Sequence, residues 1–483
     1  MPFSVILDII DIRAEKTTGF LIIKGNGFST AMYPLKYEFK YPYNMENPLE
    51  HHRVEAFLTV FESILKNSNY VNILDVYSRI SMKCSRCASE CQLYQISGDA
   101  RDIPCYRSSI LIRIYKRHFT MGGRFIGAIS GRAAMTESDI DEMLESYYHC
   151  TACGRCSLYC PLGIDHRLIL RLGRFILSGM GIVPKSLTVS VREQLEGSTG
   201  NTSAIPLKAL HTTLEFLNEE IREIKGVDVA FPIDVANAEY VFFPPVSDFI
   251  MEADTLMGIA CVLHEANVSW TIASGNYDAI NYGLFYSDEV LEKVLLKMIG
   301  EVRRLKGKKI LIGECGHAFR SAQRFLSLYN DGEAIPVVSV IELTYDLMKA
   351  GKIEFDADAV KEAVTYHDPC NIARDGLLVD TPRSILRACI KNYIEMEPHG
   401  SRNYCCGGGG GTVTINELKS YRMDVAGKKK AEQLKETGAE IVIAPCANCK
   451  KQLGELIQHY KLVMRQAGLH DIIFSAIRMR RRQ

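Results

Sequence analysis

The sequence predicts an α+β protein with several domains, in which a helical, cysteine-rich region is followed by two α/β repeats. Three observations indicate this: a chain of 483 residues, a change from helical to alternating strand and helix patterns after Pro206, and an internal similarity in the second half. We predict an N-terminal region of unknown role at 1–75, a helical domain at 76–195, and α/β repeats at 207–350 and 351–483.

The chain before Pro206 carries mostly helical patterns. Apolar residues between His51 and Asn67 recur on one helical face, which predicts a core helix. Short β-like runs at 3–12 and 20–23 precede it and indicate no function. The segment Glu196–Pro206 is rich in Gly, Ser, Thr and Asn, and this composition predicts a linker.

Beyond the linker, short β-branched or aromatic runs are each followed by a turn and a helix-like stretch. This alternation predicts α/β units around a mainly parallel sheet. The predicted strands are Tyr240–Phe243, Lys309–Ile312, Ala363–Tyr366 and Glu440–Ile443.

An internal duplication lies within these α/β units. KKILIGECGHA (308–318) matches AEIVIAPCANC (439–449) as strand, tight turn, cysteine and helix, so that Cys315 aligns with Cys446. The first copy lacks cysteine at the other aligned positions, which are occupied by Val246, Ala273, Ser274 and Ala318. We therefore predict that the first copy is a structural twin without a cluster of its own, which forms a wall of the site in the second copy.

Composition excludes some classes of function. Lysine plus arginine and aspartate plus glutamate both number 57, and the pI is near 7.1, so a nucleic-acid partner is not expected. No run of apolar residues reaches the length of a membrane span, and the first residues lack a signal-peptide pattern. We predict a cytoplasmic chain, where clustered cysteines are metal ligands rather than disulfides. The arginine-rich tail from Arg478 is interpreted as a solvated terminus.

The most specific motif is a run of four cysteines followed by proline, which is typical of ferredoxins. In this pattern three close thiolates bind one cubane [4Fe-4S] cluster and the fourth usually reaches a second cluster. A zinc site is the competing interpretation. The run consists of Cys150, Cys153, Cys156 and Cys160.

A partner run occurs upstream, where Cys84, Cys87 and Cys91 match the second, third and fourth positions of the same pattern. The first position is Ser81. By the crossing rule, Cys91 joins the first three cysteines of the downstream run in one cluster, and Cys84 and Cys87 join its fourth cysteine in the other. The missing ligand of this second cluster is Cys105, Ser81 or none, the last giving a three-iron cluster.

A third set of cysteines lies near the C-terminus. Two adjacent cysteines do not easily chelate one tetrahedral metal, because their side chains diverge, but they suit a cluster in which each sulfur binds a different iron. The glycines that follow, beginning with Gly407 and Gly408, leave room for backbone amides to approach cluster sulfides. The set consists of Cys370, Cys405, Cys406, Cys446 and Cys449.

Several residues near these cysteines have two possible roles. His367 and Asp368 either donate protons to a substrate or cap the turn before Cys370, and we favour the first role because substrate reduction consumes protons. We predict that Arg402, Lys450 and Lys451 offset the charge of the thiolates. The sequence favours neither a functional nor a structural role for Cys315. The isolated residues Cys261 and Cys389 are interpreted as core cysteines.

The motifs HDPCNIAR, NYCCGGGGG and APCANC resemble the cysteine-rich CCG domain of heterodisulfide reductases. Together with GECGHAF, YCPLGID and the upstream cysteines, they make residues 80 to about 460 similar to DsrK and to the D-type subunit of heterodisulfide reductases. The resemblance implies a helical ferredoxin domain with two cubane clusters, followed by a CCG domain. It further implies that the five C-terminal cysteines hold a non-cubane [4Fe-4S] cluster at which disulfides are split.

The resemblance also implies partners. In that family a membrane cytochrome b that oxidises quinol supplies the electrons, which places the chain on the inner face of the membrane through a partner subunit. The substrate is a disulfide or trisulfide on a DsrC-like sulfur-carrier protein, or a heterodisulfide of two small thiols.

Two other functions compete with this prediction. The chain could be the electron-transfer subunit of a flavin dehydrogenase of the glycolate oxidase or glycerol-3-phosphate dehydrogenase type, or a zinc-binding interaction scaffold. No bound flavin or NAD is predicted, because the glycine run follows cysteines and does not open a G-x-G-x-x-G turn.

Overall fold

The computed structural model describes residues 52–80, 84–129, 134–330 and 334–480. The β-like runs predicted at 3–12 and 20–23 lie outside the described residues, and so does Ser81.

The first half of the chain is helical. The predicted core helix is observed as Arg53–Lys66, with Phe57 and Phe61 fully buried. The helices up to the first strand are α1 (Arg53–Lys66), α2 (Tyr70–Arg79), α3 (Arg86–Glu90), α4 (Gln92–Ser97), α5 (Pro104–His118), α6 (Met121–Ile129), α7 (Glu137–His149), α8 (Arg155–Leu158), α9 (His166–Gly179), α10 (Lys185–Glu196) and α11 (Leu207–Lys225).

Strands and helices alternate in the second half. Its helices are α12 (Ala253–Glu265), α13 (Gly283–Tyr286), α14 (Asp288–Arg304), α15 (Gly316–Phe325), α16 (Val340–Lys349), α17 (Asp380–Cys389), α18 (Lys419–Tyr421), α19 (Lys428–Thr437), α20 (Ala447–Tyr460) and α21 (Leu469–Ala476). Its strands are β1 (Tyr240–Phe243), β2 (Trp270–Ile272), β3 (Lys309–Ile312), β4 (Val337–Ser339), β5 (Val364–Tyr366), β6 (Tyr393–Ile394), β7 (Ile441–Ile443) and β8 (Arg465–Ala467).

The strands form two four-stranded parallel sheets with the same strand order. The first sheet runs β2-β1-β3-β4 and the second runs β6-β5-β7-β8. A mixed helical and parallel-sheet protein is therefore confirmed, and the matching orders support the predicted duplication. The division of the chain into domains at the predicted boundaries stays a prediction.

The two sheets bring equivalent turns together. Cys315 precedes α15 directly after β3, and Cys446 precedes α20 directly after β7. The backbone amide of Ala447 donates a hydrogen bond of 2.8 Å to the carbonyl oxygen of Glu314. Because parallel strands end at the same edge of a sheet, each repeat presents the beginning of a helix to the other at this edge.

The segment Glu196–Pro206, which we predict to be a linker, makes buried hydrogen bonds. Asn201 is 1% exposed, and its side-chain amide donates to the carbonyl oxygen of Ile205 at 2.8 Å. The hydroxyl of Thr202 donates to the buried carboxylate of Asp278 at 2.6 Å. These hydrogen bonds fix the segment to the first repeat, because polar side chains in a buried turn must find partners there.

Cys261 and Cys389 are fully buried in helical segments, as predicted for core cysteines. Among the described residues, no helix has both the length and the apolar character that crossing a bilayer requires. At the described end of the tail, the side chain of Arg480 is 61% exposed and forms ion pairs of 3.3 Å with Glu265 and Glu354.

Candidate metal centres

The five C-terminal cysteines converge from separate loops and helix ends. Cys370 begins a π-helical turn (Asn371–Asp375) after β5, and the pair Cys405 and Cys406 lies in the loop after residue 402. Cys446 precedes α20, and Cys449 lies in the first turn of that helix. Each of the five is at most 9% exposed. Four of them, Cys370, Cys406, Cys446 and Cys449, line one cavity.

The thiols of this set interact directly. Hydrogen bonding with the thiols of Cys405 and Cys449 holds the pKa of Cys406 well below its usual range. Hydrogen bonding with Cys449 lowers the pKa of Cys446 to about 7, and Cys449 itself has a raised pKa. Several sulfurs that ionise readily in one buried place need a positive charge among them. The donor set therefore fits a thiolate-ligated metal cluster.

The glycine run contacts the paired cysteine sulfurs. The amides of Gly407 and Gly408 donate to the sulfurs of Cys405 and Cys406, each at 3.4 Å. Gly407 has φ of 99°, a conformation that favours glycine. That these amides also contact cluster sulfides stays a prediction.

His367 is in the site. Its ring and the sulfurs of Cys406 and Cys449 offer ligand atoms within 4.8 Å of one another. The side-chain amide of Asn403 donates to Nδ1 at 3.2 Å, so the neutral ring carries its proton on Nε2, which has no hydrogen-bond partner among the described residues. Burial holds the pKa of His367 well below its usual value.

Asp368 has a structural role. Its carboxylate accepts two hydrogen bonds of 2.7 Å from the guanidinium of Arg383 and one of 2.7 Å from the amide of Gly400. It therefore fixes the turn before Cys370, which is the capping alternative for this residue.

The first repeat forms part of the wall of this cavity, as predicted. A hydrogen bond from the backbone of Gly316, at the start of α15, favours ionisation of Cys446. His317 and Phe285 line the cavity together with the cysteines. The Sγ of Cys315 lies 3.4 Å from Nδ1 of His317, so Cys315 holds this ring in place. Because the ring nitrogen Nε2 accepts from the amide of Asn281 at 3.3 Å, both nitrogens of His317 are occupied.

The cations near the cysteines are not the three that were predicted. Arg402 and Lys451 are exposed, and Lys450 is buried at 3.5 Å from Asp248 and 3.6 Å from Glu252, in an ion cluster between the repeats. The lysines that follow Cys449 in the sequence do not face the site, because successive residues of a helix point in different directions.

Two other cationic residues, Arg374 and Lys430, lie near the cysteines. Arg374 donates to the carbonyl oxygen of Cys153 at 3.1 Å, and its charge opposes the rise in pKa of the Cys370 thiol. Lys430 is fully buried, donates to Asn403 Oδ1 at 2.6 Å, and has a pKa lowered by burial to about 7. Arg374 follows Cys370 by one helical turn within HDPCNIAR, a spacing that could have identified it. Nothing in the run that contains Lys430 could have done so.

The ferredoxin-type cysteines form the combination that the crossing rule predicts. Four of them line one cavity: Cys91, Cys150, Cys153 and Cys156. The pKa of Cys156 is raised well above its usual value, first by burial and then by the charges of the other three. The negative charge of one ionised thiol therefore disfavours ionisation of the others. Thiols from both runs lie at one site, as expected for ligands of a shared cubane cluster.

Two of the cysteines considered for the second predicted cubane site, Cys87 and Cys105, lie together. Hydrogen bonding with the Cys87 thiol lowers the pKa of Cys105 to about 6, and the Sγ of Cys105 lies 3.9 Å from the hydroxyl of Ser85. Cys84 is exposed and Cys160 is partly buried. The pairing of Cys87 with Cys105 supports Cys105 as the missing ligand, a role that stays a prediction.

The two cysteine systems are adjacent. Hydrogen bonding with the Cys405 thiol, followed by burial, raises the pKa of Cys153 far above its usual value. The side chain of Gln92 on α4 accepts from the amide of Cys405 at 2.7 Å and donates to its carbonyl oxygen at 3.1 Å. The buried guanidinium of Arg174 on α9 donates to the carbonyl oxygens of Cys150 and Gly410 at 2.9 and 2.5 Å. Direct contacts therefore connect the predicted cubane site with the C-terminal site.

Comparison with protein families gives two matches. A model described as a cysteine-rich domain, CCG, matches residues 364–454, and a model described as a 4Fe-4S dicluster domain matches residues 82–164. These matches support iron–sulfur clusters as the cofactor.

Curated relatives cover most of the chain. An Hdr-like menaquinol oxidoreductase iron–sulfur subunit 2 of Archaeoglobus fulgidus is 28% identical over 88% of this chain and 83% of the relative. The D-type subunit of a dihydromethanophenazine:CoB–CoM heterodisulfide reductase of Methanosarcina barkeri is 24% identical over 81% of this chain and 91% of the relative. An EtfAB:quinone oxidoreductase of Syntrophomonas wolfei is 22% identical over 81% of this chain and 56% of the relative.

The fold, the cysteine sites and these matches support an iron–sulfur oxidoreductase that is similar to heterodisulfide reductase subunits. Within that class, the chain is an iron–sulfur protein like DsrK and the D-type subunit of heterodisulfide reductases.

Proposed function

We propose that this chain is the catalytic subunit of a membrane-associated, quinol-linked complex, and that it reduces a disulfide or a protein-bound trisulfide. One observation carries the proposal: four of the five buried cysteines line one cavity, and the fifth, Cys405, interacts with Cys370 and Cys406 and with Cys153 of the ferredoxin-type run. Electrons can therefore pass directly from the helical region to a place where sulfur chemistry is possible.

The proposed ligands follow the two cysteine systems. Two cubane [4Fe-4S] clusters are assigned to the cysteines of residues 84–160, and a non-cubane [4Fe-4S] cluster is assigned to Cys370, Cys405, Cys406, Cys446 and Cys449. When bound, the non-cubane cluster supplies two differentiated irons and a store of electrons next to the substrate sulfurs. The reaction consumes two electrons and two protons for each disulfide, and it releases two thiols.

The residues of the chain orient the substrate. Burial keeps the His367 ring neutral with its proton on Nε2, and we assign this N–H as a hydrogen-bond donor to a departing sulfur beside Cys406 and Cys449, while the protons that the thiol products need come from solvent. Phe285 and His317 form part of the cavity wall. This wall limits the entry of water and favours neutral thiol products over charged thiolates.

The proposed electron donor is a membrane cytochrome b subunit that oxidises quinol. The names of two relatives support a link to quinone chemistry, because one is called a menaquinol oxidoreductase subunit and another a quinone oxidoreductase. In this proposal a partner subunit holds the chain on the cytoplasmic side of the membrane. The substrate is a DsrC-like sulfur-carrier protein or a disulfide of small thiols.

The test uses protein purified without oxygen. We expect broad brown absorbance that a reductant bleaches, and about four irons per cluster. With reduced methyl viologen as the electron donor, the protein should reduce bis(2-hydroxyethyl) disulfide. Cys405→Ala should abolish this activity, whereas Cys389→Ala, at an equally buried cysteine outside the site, should retain it.

Two results would contradict the proposal. A colourless protein that contains zinc would favour the interaction scaffold. Undiminished disulfide reduction by Cys405→Ala would exclude the five-cysteine site as the place of reaction. Purification of the chain together with its partner subunits tests the remaining alternative, an electron-transfer subunit of a flavin dehydrogenase. A flavoprotein partner without cytochrome b would support that alternative.

A further inference from the structure

Two lysines are fully buried among the described residues, and they differ in their partners. Lys450 lies 3.5 Å from Asp248 and 3.6 Å from Glu252, so two carboxylates balance its charge. Lys430, on α19, is 0% exposed, and no carboxylate of the described residues forms a salt bridge with it. A buried cation without a counter-ion is strongly destabilising. Lys430 therefore requires a negative charge of another kind nearby.

The side chain of Lys430 is surrounded by neutral acceptors. Nζ donates to Oδ1 of Asn403 at 2.6 Å, to Oε1 of Gln433, and to the sulfur of Met396 at 3.6 Å. Three acceptors match the three N–H groups of an ammonium. The orientation of Gln433 is fixed in turn, because its Nε2 donates to the carbonyl oxygen of Pro398 at 2.7 Å. The surroundings thus fit a donor that carries a positive charge.

The negative charges that act on Lys430 come mainly from the C-terminal site. Burial lowers the pKa of Lys430 to about 7, and the charges of Asp368 and of thiolates oppose this shift. The carboxylate of Asp368 is already bound by the guanidinium of Arg383 through two hydrogen bonds of 2.7 Å. The remaining charges are those of three thiolates, Cys405, Cys406 and Cys449. The counter-ion of Lys430 is therefore the thiolate site itself.

A chain of hydrogen bonds links Lys430 to the cavity. Because Oδ1 of Asn403 accepts from Lys430, the amide nitrogen of Asn403 faces away from the lysine. That nitrogen donates to Nδ1 of His367 at 3.2 Å and to the carbonyl oxygen of Asp368 at 3.1 Å. The ring of His367 lies beside two cysteine sulfurs of the site, with ligand atoms within 4.8 Å of one another. Lys430 thus helps to fix the orientation of the amide that positions His367.

We propose that Lys430 is a built-in positive charge of the C-terminal site, which stabilises the reduced state of the cluster held by the five cysteines. Each electron added there brings a negative charge to a buried place, and a fixed ammonium favours its arrival. Lys430 also acts as a positioning residue for His367 through Asn403. This role rests on the proposed function, because it concerns the site where that function places the reaction.

The test compares Lys430→Met with Lys428→Met in the cluster-loaded protein. Lys428 begins the same helix and is exposed, so its replacement removes an equal charge from the surface. The measured quantity is the midpoint potential of the cluster at the C-terminal site, followed by EPR in an anaerobic titration in which dithionite supplies the electrons through mediators. The signal of this cluster is the one that Cys405→Ala removes.

We expect Lys430→Met to shift this midpoint potential to a more negative value, because the reduced cluster loses its counter-ion. The potentials of the cubane clusters should shift less. Lys428→Met should titrate like the wild type, since water and salt screen an exposed charge. Lys430→Met should also lower kcat for bis(2-hydroxyethyl) disulfide about tenfold with little change in KM, because the negative charge on the departing sulfur develops only in the transition state.

A second variant separates the charge from the hydrogen bond. Lys430→Gln keeps an N–H group for Asn403 and removes only the charge, so its potential should also be more negative than that of the wild type. If neither neutral variant holds the cluster, Lys430→Arg should retain the about four irons that they lose, because it keeps the charge.

Wild-type potentials in both neutral variants would overturn this role of Lys430, as would equal shifts in Lys430→Met and Lys428→Met. Lower thermal stability of Lys430→Met without a shift in potential would make the lysine purely structural and would also overturn it, and so would loss of the cluster from Lys430→Arg. A wild type that reduces no disulfide, but whose potential depends on Lys430, would refute the proposed function and leave the role of Lys430 standing.

Discussion

Replacement of Gln92 by leucine tests whether the two cysteine systems are held together by one amide side chain. Gln92 is 2% exposed, and it bonds both the amide and the carbonyl oxygen of Cys405. It also donates to the carbonyl oxygen of Ala426 at 2.5 Å. Gln92→Leu keeps a similar volume but leaves these three backbone groups without partners.

The structure sets the size of the effect. Each buried backbone group left without a hydrogen bond costs about 1–3 kcal/mol, so the three together lower the free energy of unfolding by about 3–6 kcal/mol after partial relaxation. This loss is a large part of the stability of an ordinary domain. Gln95, an exposed residue of the same helix, is the matched control, and Gln95→Leu should change the free energy of unfolding by less than about 0.5 kcal/mol.

The assay is denaturation of the cluster-loaded protein under anaerobic conditions, followed by circular dichroism and by visible absorbance. Gln92→Leu should unfold at lower denaturant and lose its colour at lower temperature than Gln95→Leu. If the two variants are indistinguishable, Gln92 does not hold the systems together, and the adjacency of Cys153 and Cys405 must have another cause.

Three further substitutions have matched controls. An alanine at Gly410 (φ 65°) would place Cβ 2.8 Å from a backbone carbonyl of the ferredoxin-type run, whereas one at Gly438 (φ 63°) meets nothing within 4 Å. Gly410→Ala should therefore lower the free energy of unfolding by about 1–3 kcal/mol more than Gly438→Ala. Cys105→Ala should lower the iron content by about four atoms per chain, and Cys261→Ala should leave it unchanged; equal iron in both would exclude Cys105 as a ligand. Lys450→Met leaves a buried aspartate unpaired and should cost about 3–5 kcal/mol in a denaturant titration, while substitution of the exposed lysine that follows should cost almost nothing.

The strands that the sequence predicted and those that it missed differ for a physical reason. The predicted strands Tyr240–Phe243 and Lys309–Ile312 are observed with the same bounds, because central strands of parallel sheets consist of continuous apolar residues. The strands β6 and β8 are edge strands, and all of their residues except Ala467 are at least partly exposed. Edge strands bury less of their surface, so their composition does not distinguish them from loops.

Residues of the sites were predictable only where chemistry requires a particular side chain at a particular spacing. The ferredoxin-type run and the paired cysteines have spacings that metal ligation explains, and His367 was identifiable as a titratable residue beside them. Gln92 and Lys430 were not identifiable, because glutamine and lysine in a helix normally face solvent. Their burial results from the packing of distant segments against them.

The sequence by itself determined the ligand chemistry: thiolates in sets whose spacing suits iron–sulfur clusters, and a duplicated α/β unit in which one copy has only one of the five cysteines. Only the tertiary structure decided how these parts meet. It placed Cys153 against Cys405, seated the start of α15 against Cys446, and moved Lys450 from the cysteines to an ion cluster between the repeats. The reason is that ligand spacing is a local property of the chain, whereas contacts between segments hundreds of residues apart depend on how whole sheets and helices pack.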